Sequence, residues 1–189
     1  SETLVFQLTT TDGEHTVVDT VSIDVTGVND APIGTDGSDS ATEDNTVTVN
    51  LAATDPDYGD SVESYRIDSL PSNGTLMIDG SAASIGDTLT TAQLAAGELT
   101  FVPTGDWSGT TSFEFSANDG SAWSTSSATQ TLTVVADADA PNVEAGTASG
   151  DEDTAIPLSF STSVTDTDGS ESITSLTVSG APSGSVFSD

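Results

Sequence analysis

The sequence predicts an all-β protein made of antiparallel β-sandwich domains in tandem. Apolar and polar residues alternate in short runs, as in Leu4, Phe6 and Leu8 or Val21, Ile23 and Val25, the period-2 pattern of a strand with one buried face. About seven such runs lie between residues 33 and 136, with a turn signal every ~8–12 residues. Finally, Val28-Asn29-Asp30-Ala31-Pro32 returns as Asp137-Ala138-Asp139-Ala140-Pro141. Asp139 follows Asp30 by 109 residues, the size of one small β domain.

Each of these segments follows an alternating strand and ends in proline, which donates no backbone hydrogen bond and holds the preceding residue extended. We therefore read them as domain junctions. Residues 1–28 are the C-terminal hairpin of a preceding sandwich and 29–32 a linker. Residues 33–136 are a complete sandwich, 137–141 a second linker, and 142–189 the N-terminal part of a following sandwich. The chain opens on Ser1 and stops within a strand pattern, so we expect an excerpt of a longer protein.

In chain order, Leu4 to Leu8 and Val17 to Val25 flank an Asp12-Gly13 turn. The same pattern recurs with Phe113 and Phe115, Asn118-Asp119-Gly120, and Ala128 to Val134. In the complete unit, the acidic turn Glu43-Asp44 precedes a strand over Thr46–Leu51. The loop Asp55-Pro56-Asp57-Tyr58-Gly59-Asp60 is dense in carboxylates. A strand is expected over Val62–Leu70, a tight turn at Pro71-Ser72-Asn73-Gly74, and another strand over Thr75–Ile78. Leu89–Ala96 suits a single helical turn. Leu99, Phe101 and Val102 lead into Pro103, and Gly105-Asp106-Trp107-Ser108-Gly109 forms a corner before the last hairpin. Residues 142–189 restart this cycle: Glu152-Asp153 matches Glu43-Asp44 at an offset of 109, and Asp166-Thr167-Asp168 matches Asp55-Pro56-Asp57 at 111.

Thirty-one acidic residues face one Arg, no Lys and one His, a formal charge of -30. Such a field repels nucleic acid and anionic membrane surfaces and attracts divalent cations. Charge alone would suit a disordered acidic tail, but the alternating Val, Ile, Leu and Phe runs argue against one. With no cysteine, neither disulfides nor thiolate metal sites can staple the fold. No apolar run approaches the ~20 residues of a membrane span.

The Val-Asn-Asp-Ala-Pro junction, the Glu-Asp and Asp-x-Asp openings, Leu70-Pro71-Ser72-Asn73-Gly74-Thr75-Leu76 and Leu99-Thr100-Phe101-Val102-Pro103 occur in a characteristic order. With Phe113-Glu114-Phe115 leading to Asn118-Asp119-Gly120, they make the chain resemble the cadherin-like repeats of giant bacterial RTX-type adhesins, which are secreted by type I systems. The resemblance covers nearly the whole chain. It implies immunoglobulin-like Greek-key sandwiches, stiffened by Ca2+ and placed outside the cell in a surface stalk. The glycine-rich nonapeptide calcium repeats that accompany such adhesins are absent.

The same resemblance implies a ligand set. Glu43, Asp44, Asp137, Asp139, Asp166 and Asp168 would serve the second junction. Asn29, Asp30, Asp55 and Asp57 would serve the first, with Asp119 nearby on its hairpin turn. Glu152 and Asp153 repeat the Glu43-Asp44 position. Calcium suits such a set because it takes six to eight oxygens from carboxylates, carbonyls and water. The bland alternative is that Asp is a good turn former; Asp12-Gly13 and Asp119-Gly120 read foremost as hairpin turns. Here Ala31 and Ala140 follow the linker Asp directly, where the cadherin pattern has a second Asn.

Catalysis is not expected. There is no cysteine nucleophile, the only His sits beside a turn, and the Gly105–Gly109 segment lacks the spacing of a nucleophile elbow. Arg66 reads as half of a surface ion pair. We expect a non-catalytic extender of a cell-surface adhesin. Its partners would be neighbouring repeats, complementary end segments of other copies, and a host-surface glycan or protein reached through other domains. Two alternatives stand beside this: a carbohydrate- or peptide-binding module using Trp107 and Trp123, and a spacer of a secreted hydrolase.

Overall fold

The computed structural model describes residues 2–165, 169 and 171–186. Strands β1 (Glu2–Thr11) and β2 (Thr16–Val25) form an antiparallel hairpin in unbroken register from Glu2↔Val25 to Thr11↔Thr16. Alternation puts Leu4, Phe6, Val21 and Ile23 on one face, and both faces are exposed. Asp12 closes the turn: its Oδ1 accepts the N–H groups of Glu14 and His15 at 3.0 and 2.7 Å.

Between Ile33 and Val135 the chain folds into a two-layer sandwich. One sheet runs β10 (Thr88–Thr90), β7 (Ser64–Ile67), β12 (Gly109–Asn118), β13 (Ala128–Val135), β4 (Gly37–Thr42). The other runs β5 (Val47–Thr48), β11 (Leu99–Pro103), β8 (Gly74–Ile78), β9 (Ser81–Ala82). A short pair, β3 (Ile33–Thr35) with β6 (Ala52–Thr54), lies at the entry. Consecutive strands such as β4 and β5, or β11 and β12, belong to opposite sheets, the Greek-key crossing of an immunoglobulin-like fold.

The ladders are antiparallel with one exception, since β13 pairs with β4 in parallel. The chain enters at one end of the sandwich and leaves at the other, so the strand after the entry and the strand before the exit point the same way. The core lies between the sheets. Tyr65, Ile67, Phe113, Phe115, Leu132 and Val134 face Val47, Val49, Leu76, Leu99 and Phe101, all buried. Alternation along β12 and β13 leaves Ser112, Glu114 and Thr131 on the outer face, as expected when one face of an antiparallel sheet is packed, although Ser116 on that face is buried too. Tyr65 and Phe115 meet edge to face, with ring centroids 5.9 Å apart.

Several elements differ in length from the sequence reading. The strand expected over Thr46–Leu51 pairs only at Val47–Thr48, although Val49 and Leu51 are still buried and Val49 N–H reaches Leu99 O at 3.0 Å. The strand expected over Val62–Leu70 is confined to β7. The helical turn is α1 (Thr91–Ala95), opened by a capping box in which Thr90 Oγ1 accepts from Gln93 N–H at 3.2 Å and Gln93 Oε1 accepts from Thr90 N–H at 3.0 Å. Gly74 begins β8 beneath Phe101. A Cβ there would lie 2.4 Å from Phe101 Cζ and 2.5 Å from Val102 O.

Arg66 is more than a surface ion pair. It sits on an inner strand whose neighbours cover its flanks. Its Nε donates to Asp68 Oδ1 at 2.7 Å, and its guanidinium lies 4.8 Å from the Trp123 ring centre. Asp68 also accepts from Ser116 and, at 2.7 Å, from Ser127.

Beyond the second linker, β14 (Asn142–Ala145) pairs with β15 (Phe160–Ser163). Its register is that of β3 with β6 displaced by 109 residues. Ile33↔Thr54 corresponds to Asn142↔Ser163, and Gly34↔Ala53 to Val143↔Thr162. Asp44 and Asp153, also 109 apart, both take left-handed backbone conformations with φ of 59° and 62°. The repeat seen as spaced landmarks is thus also a repeat of local geometry.

Candidate functional site

Two carboxylate groups lie where the linkers meet the sandwich. At the first junction, β6 ends at Thr54 and the chain turns through Asp55-Pro56-Asp57. Asp57 N–H donates to Asp55 Oδ1 at 2.8 Å, a short-range bond that Asp makes readily in turns. Asp60 N–H then donates to Asp57 O at 3.3 Å. The folded loop brings one carboxylate oxygen from each of Asp55, Asp57 and Asp60 within 4.8 Å of one another. Asp55 Oδ2 is buried and accepts no hydrogen bond.

The linker lies against this loop. Asp30 N–H donates to Asp57 Oδ2 at 2.7 Å, and Asn29 Nδ2 donates to Asp119 Oδ2 at 3.0 Å. Asp119 Oδ1 meanwhile accepts the N–H groups of Ser121 and Ala122 at 2.6 and 2.7 Å. These amides of Ala122 and Ser121, with the Asn29 side chain, hold the Asp119 carboxyl below its ordinary value. Asp119 is thus both the turn former and a neighbour of the first linker.

At the second junction Glu43 is buried, 3% exposed. Its carboxylate accepts the N–H of Asp137, and its own N–H donates to Val135 O at 2.8 Å. Asp44 and Asp106 both adopt left-handed backbone, and Asp106 N–H donates to Asp44 Oδ1 at 3.2 Å. Carboxylate oxygens of Asp44, Asp106 and Asp139 lie within 4.8 Å of one another. Asp139 N–H donates to Glu171 Oε1 at 2.5 Å.

The fold therefore places Asn29, Asp30, Asp55, Asp57 and Asp119 together at one end and Glu43, Asp44, Asp137 and Asp139 at the other. Asp166 and Asp168 lie outside the described residues. Glu152 and Asp153 form an exposed turn and join no carboxylate group among the described residues. Sequence reading missed Asp60, Asp106 and Glu171. Asp60 was visible as the last acid of its loop. Asp106 stands in the Gly105–Gly109 corner, far in sequence from Asp44, and only the fold brings the two together.

Three like charges within 4.8 Å repel by about 1 kcal/mol per pair in water and about 3 at an effective dielectric of 20. No Lys exists, and the one Arg is committed to Asp68. The donor sets are all oxygen and hard, so they fit calcium or magnesium rather than a thiolate- or imidazole-seeking metal. Three carboxylates supply part of a six-to-eight-oxygen shell, with backbone carbonyls and water left to complete it.

The sequence profile of the bacterial Ig domain family matches residues 29–135. The chain belongs to that family. The match starts at the first linker and ends with β13, so the bacterial Ig domain coincides with the two-layer sandwich and the packed core. No curated protein matches the chain. Bacterial Ig domains commonly occur in surface proteins and are typically non-catalytic. No helix among the described residues is long and apolar enough to cross a membrane.

Proposed function

We propose that this chain is a calcium-stiffened extender segment of a bacterial surface adhesin, with one complete sandwich at 33–136 between two acidic linkers. The observation that carries the reading is that carboxylates gather beside both linkers, Asp55, Asp57 and Asp60 of a single loop at one, and Asp44, Asp106 and Asp139 from three separate segments at the other. Calcium at these places would relieve the mutual repulsion and tie the linker to the loops of its sandwich. It would supply no chemistry beyond that. The role is spatial: to hold domains in line away from a surface. Secretion by a type I route and a cadherin-like stalk remain part of this proposal, resting on the ordered motifs of the sequence.

The test is thermal unfolding in millimolar calcium and again in excess chelator. Ligands that bind only the folded state stabilise it by mass action, by about 2.7 kcal/mol at 100-fold over the dissociation constant. A calcium-dependent rise in melting temperature that neither magnesium nor sodium chloride reproduces supports the extender. Equal melting in calcium and chelator overturns it.

A ligand-binding module is the second reading. One feature favours it: the fully exposed Tyr58 borders a groove lined by Glu2, Val25, Gly27, Val28, Asn29, Asp57 and Asp60. The tryptophans do not, since Trp107 packs against the core and Trp123 is covered by Arg66. Binding of an oligosaccharide panel with loss of affinity in Tyr58→Ala would favour this reading.

A further inference from the structure

We infer that both linkers are clasped to the sandwiches by carboxylate–amide hydrogen bonds that need no metal, with Glu43 as the principal clasp. The inference stands apart from the calcium reading. Backbone N–H groups are obligatory donors, and a linker that crosses between domains has no strand partner to accept them. In both linkers Pro removes one donor, and the Asp two residues earlier offers its N–H to a carboxylate in the loop of the following unit. Asp30 N–H meets Asp57 at 2.7 Å, and Asp139 N–H meets Glu171 at 2.5 Å. The same solution appears twice, at different residues.

Glu43 adds a grip from the preceding unit. The left-handed backbone of Asp44, φ 59°, turns the chain directly after β4. It leaves Glu43 beside the end of the parallel strand β13. The residue's N–H donates to Val135 O at 2.8 Å and its carboxylate accepts from Asp137 N–H. One buried residue therefore holds the last strand's end through its backbone and the start of the linker through its side chain. What the clasp requires is an acceptor, whereas calcium binding rests chiefly on charged carboxylates. Gln accepts an N–H as Glu does and is a far poorer calcium ligand, so the two roles separate.

The chain has no cysteine, so spin labels can be placed at will, at the exposed Ser112 of β12 and the exposed Ser161 of β15. The distance distribution between them is measured by pulsed electron paramagnetic resonance in excess chelator. The expected result is that Glu43→Gln keeps the width of the parent chain. In Glu43→Ala, roughly a twofold broadening toward a flexible linker is expected. Asp137→Pro, which deletes the donor and leaves Glu43 in place, broadens it likewise. Parent and Glu43→Ala of equal width, or Asp137→Pro as narrow as the parent, overturns the inference. The calcium reading is decided separately by the melting experiment, since no metal is present here.

Discussion

The guanidinium of Arg66 lies 4.8 Å from the centre of the Trp123 ring while its Nε donates to Asp68 at 2.7 Å. The chain's only strongly basic side chain is thus spent on knitting the outer face of β7 and β12, and none is left to neutralise the junctions. Its removal takes away a partly desolvated cation–π contact and leaves the Asp68 carboxylate short of one donor. Arg66→Ala is expected to destabilise the sandwich by about 1–3 kcal/mol, read as a lowered urea midpoint with unchanged slope.

Asp68 makes stability fall in acid. Burial acts to raise its carboxyl, but hydrogen bonds from Ser116, Ser127 and Arg66, with the charge of Arg66, outweigh it and hold the group below its ordinary 3.8. A carboxyl depressed in the folded state contributes stability above its unfolded value and loses it as pH falls through the folded one. Melting temperature should therefore drop below about pH 4, and Asp68→Asn should lie lower at neutral pH with a shallower acid limb.

Tyr65 acts at the other extreme. Burial pushes its phenol above the ordinary 10.0. The folded state keeps the proton where the unfolded chain gives it up, so stability is lost as pH rises past about 10. Tyr65→Phe preserves the edge-to-face contact with Phe115 and should flatten the alkaline limb of a stability–pH curve.

At the second junction, Asp106→Asn should reduce the calcium-dependent gain in melting temperature as much as Asp139→Asn, because both reach the same point from different segments. Glu152→Gln should leave that gain unchanged. Calorimetric titration with calcium checks both; an Asp106→Asn chain that binds like the parent would remove Asp106 from the site.

Phe101 and Phe6 test where the packed unit lies. Phe101 is fully buried between the sheets, and Phe6 is about half exposed on its hairpin. Phe101→Ala should cost about 3–5 kcal/mol, and Phe6→Ala should leave the main unfolding transition where it was. Gly74→Ala should cost about 1–3 kcal/mol by overpacking against Phe101, a clash with no counterpart in a simple tight turn.

Much of this was legible in the sequence because it is local. Period-2 alternation predicted β12 and β13 and their inner faces, since a strand's side chains take opposite sides whatever lies beyond. The Asp12-Gly13 and Asp119-Gly120 turns followed from the same local chemistry: an Asp oxygen capping amides two and three residues on, and a glycine at φ of 95° and 93°. The 109-residue spacing of Glu43-Asp44 and Glu152-Asp153 predicted matching geometry, and the backbone of Asp44 and Asp153 matches.

The rest depended on which distant segments share an end of the sandwich. Sequence determined that acidic linkers flank an alternating β-sandwich pattern, and it made Glu43, Asp44, Asp55 and Asp57 candidate ligands. The resemblance had already set Asp119 near the first junction, where it meets Asn29 across 90 residues. Only the tertiary structure decided that Asp106 stands beside Asp44 and Asp139 and that Arg66 covers Trp123. The physical reason is that Greek-key crossings join loops by sheet topology rather than by spacing along the chain, and charges respond to distance in space.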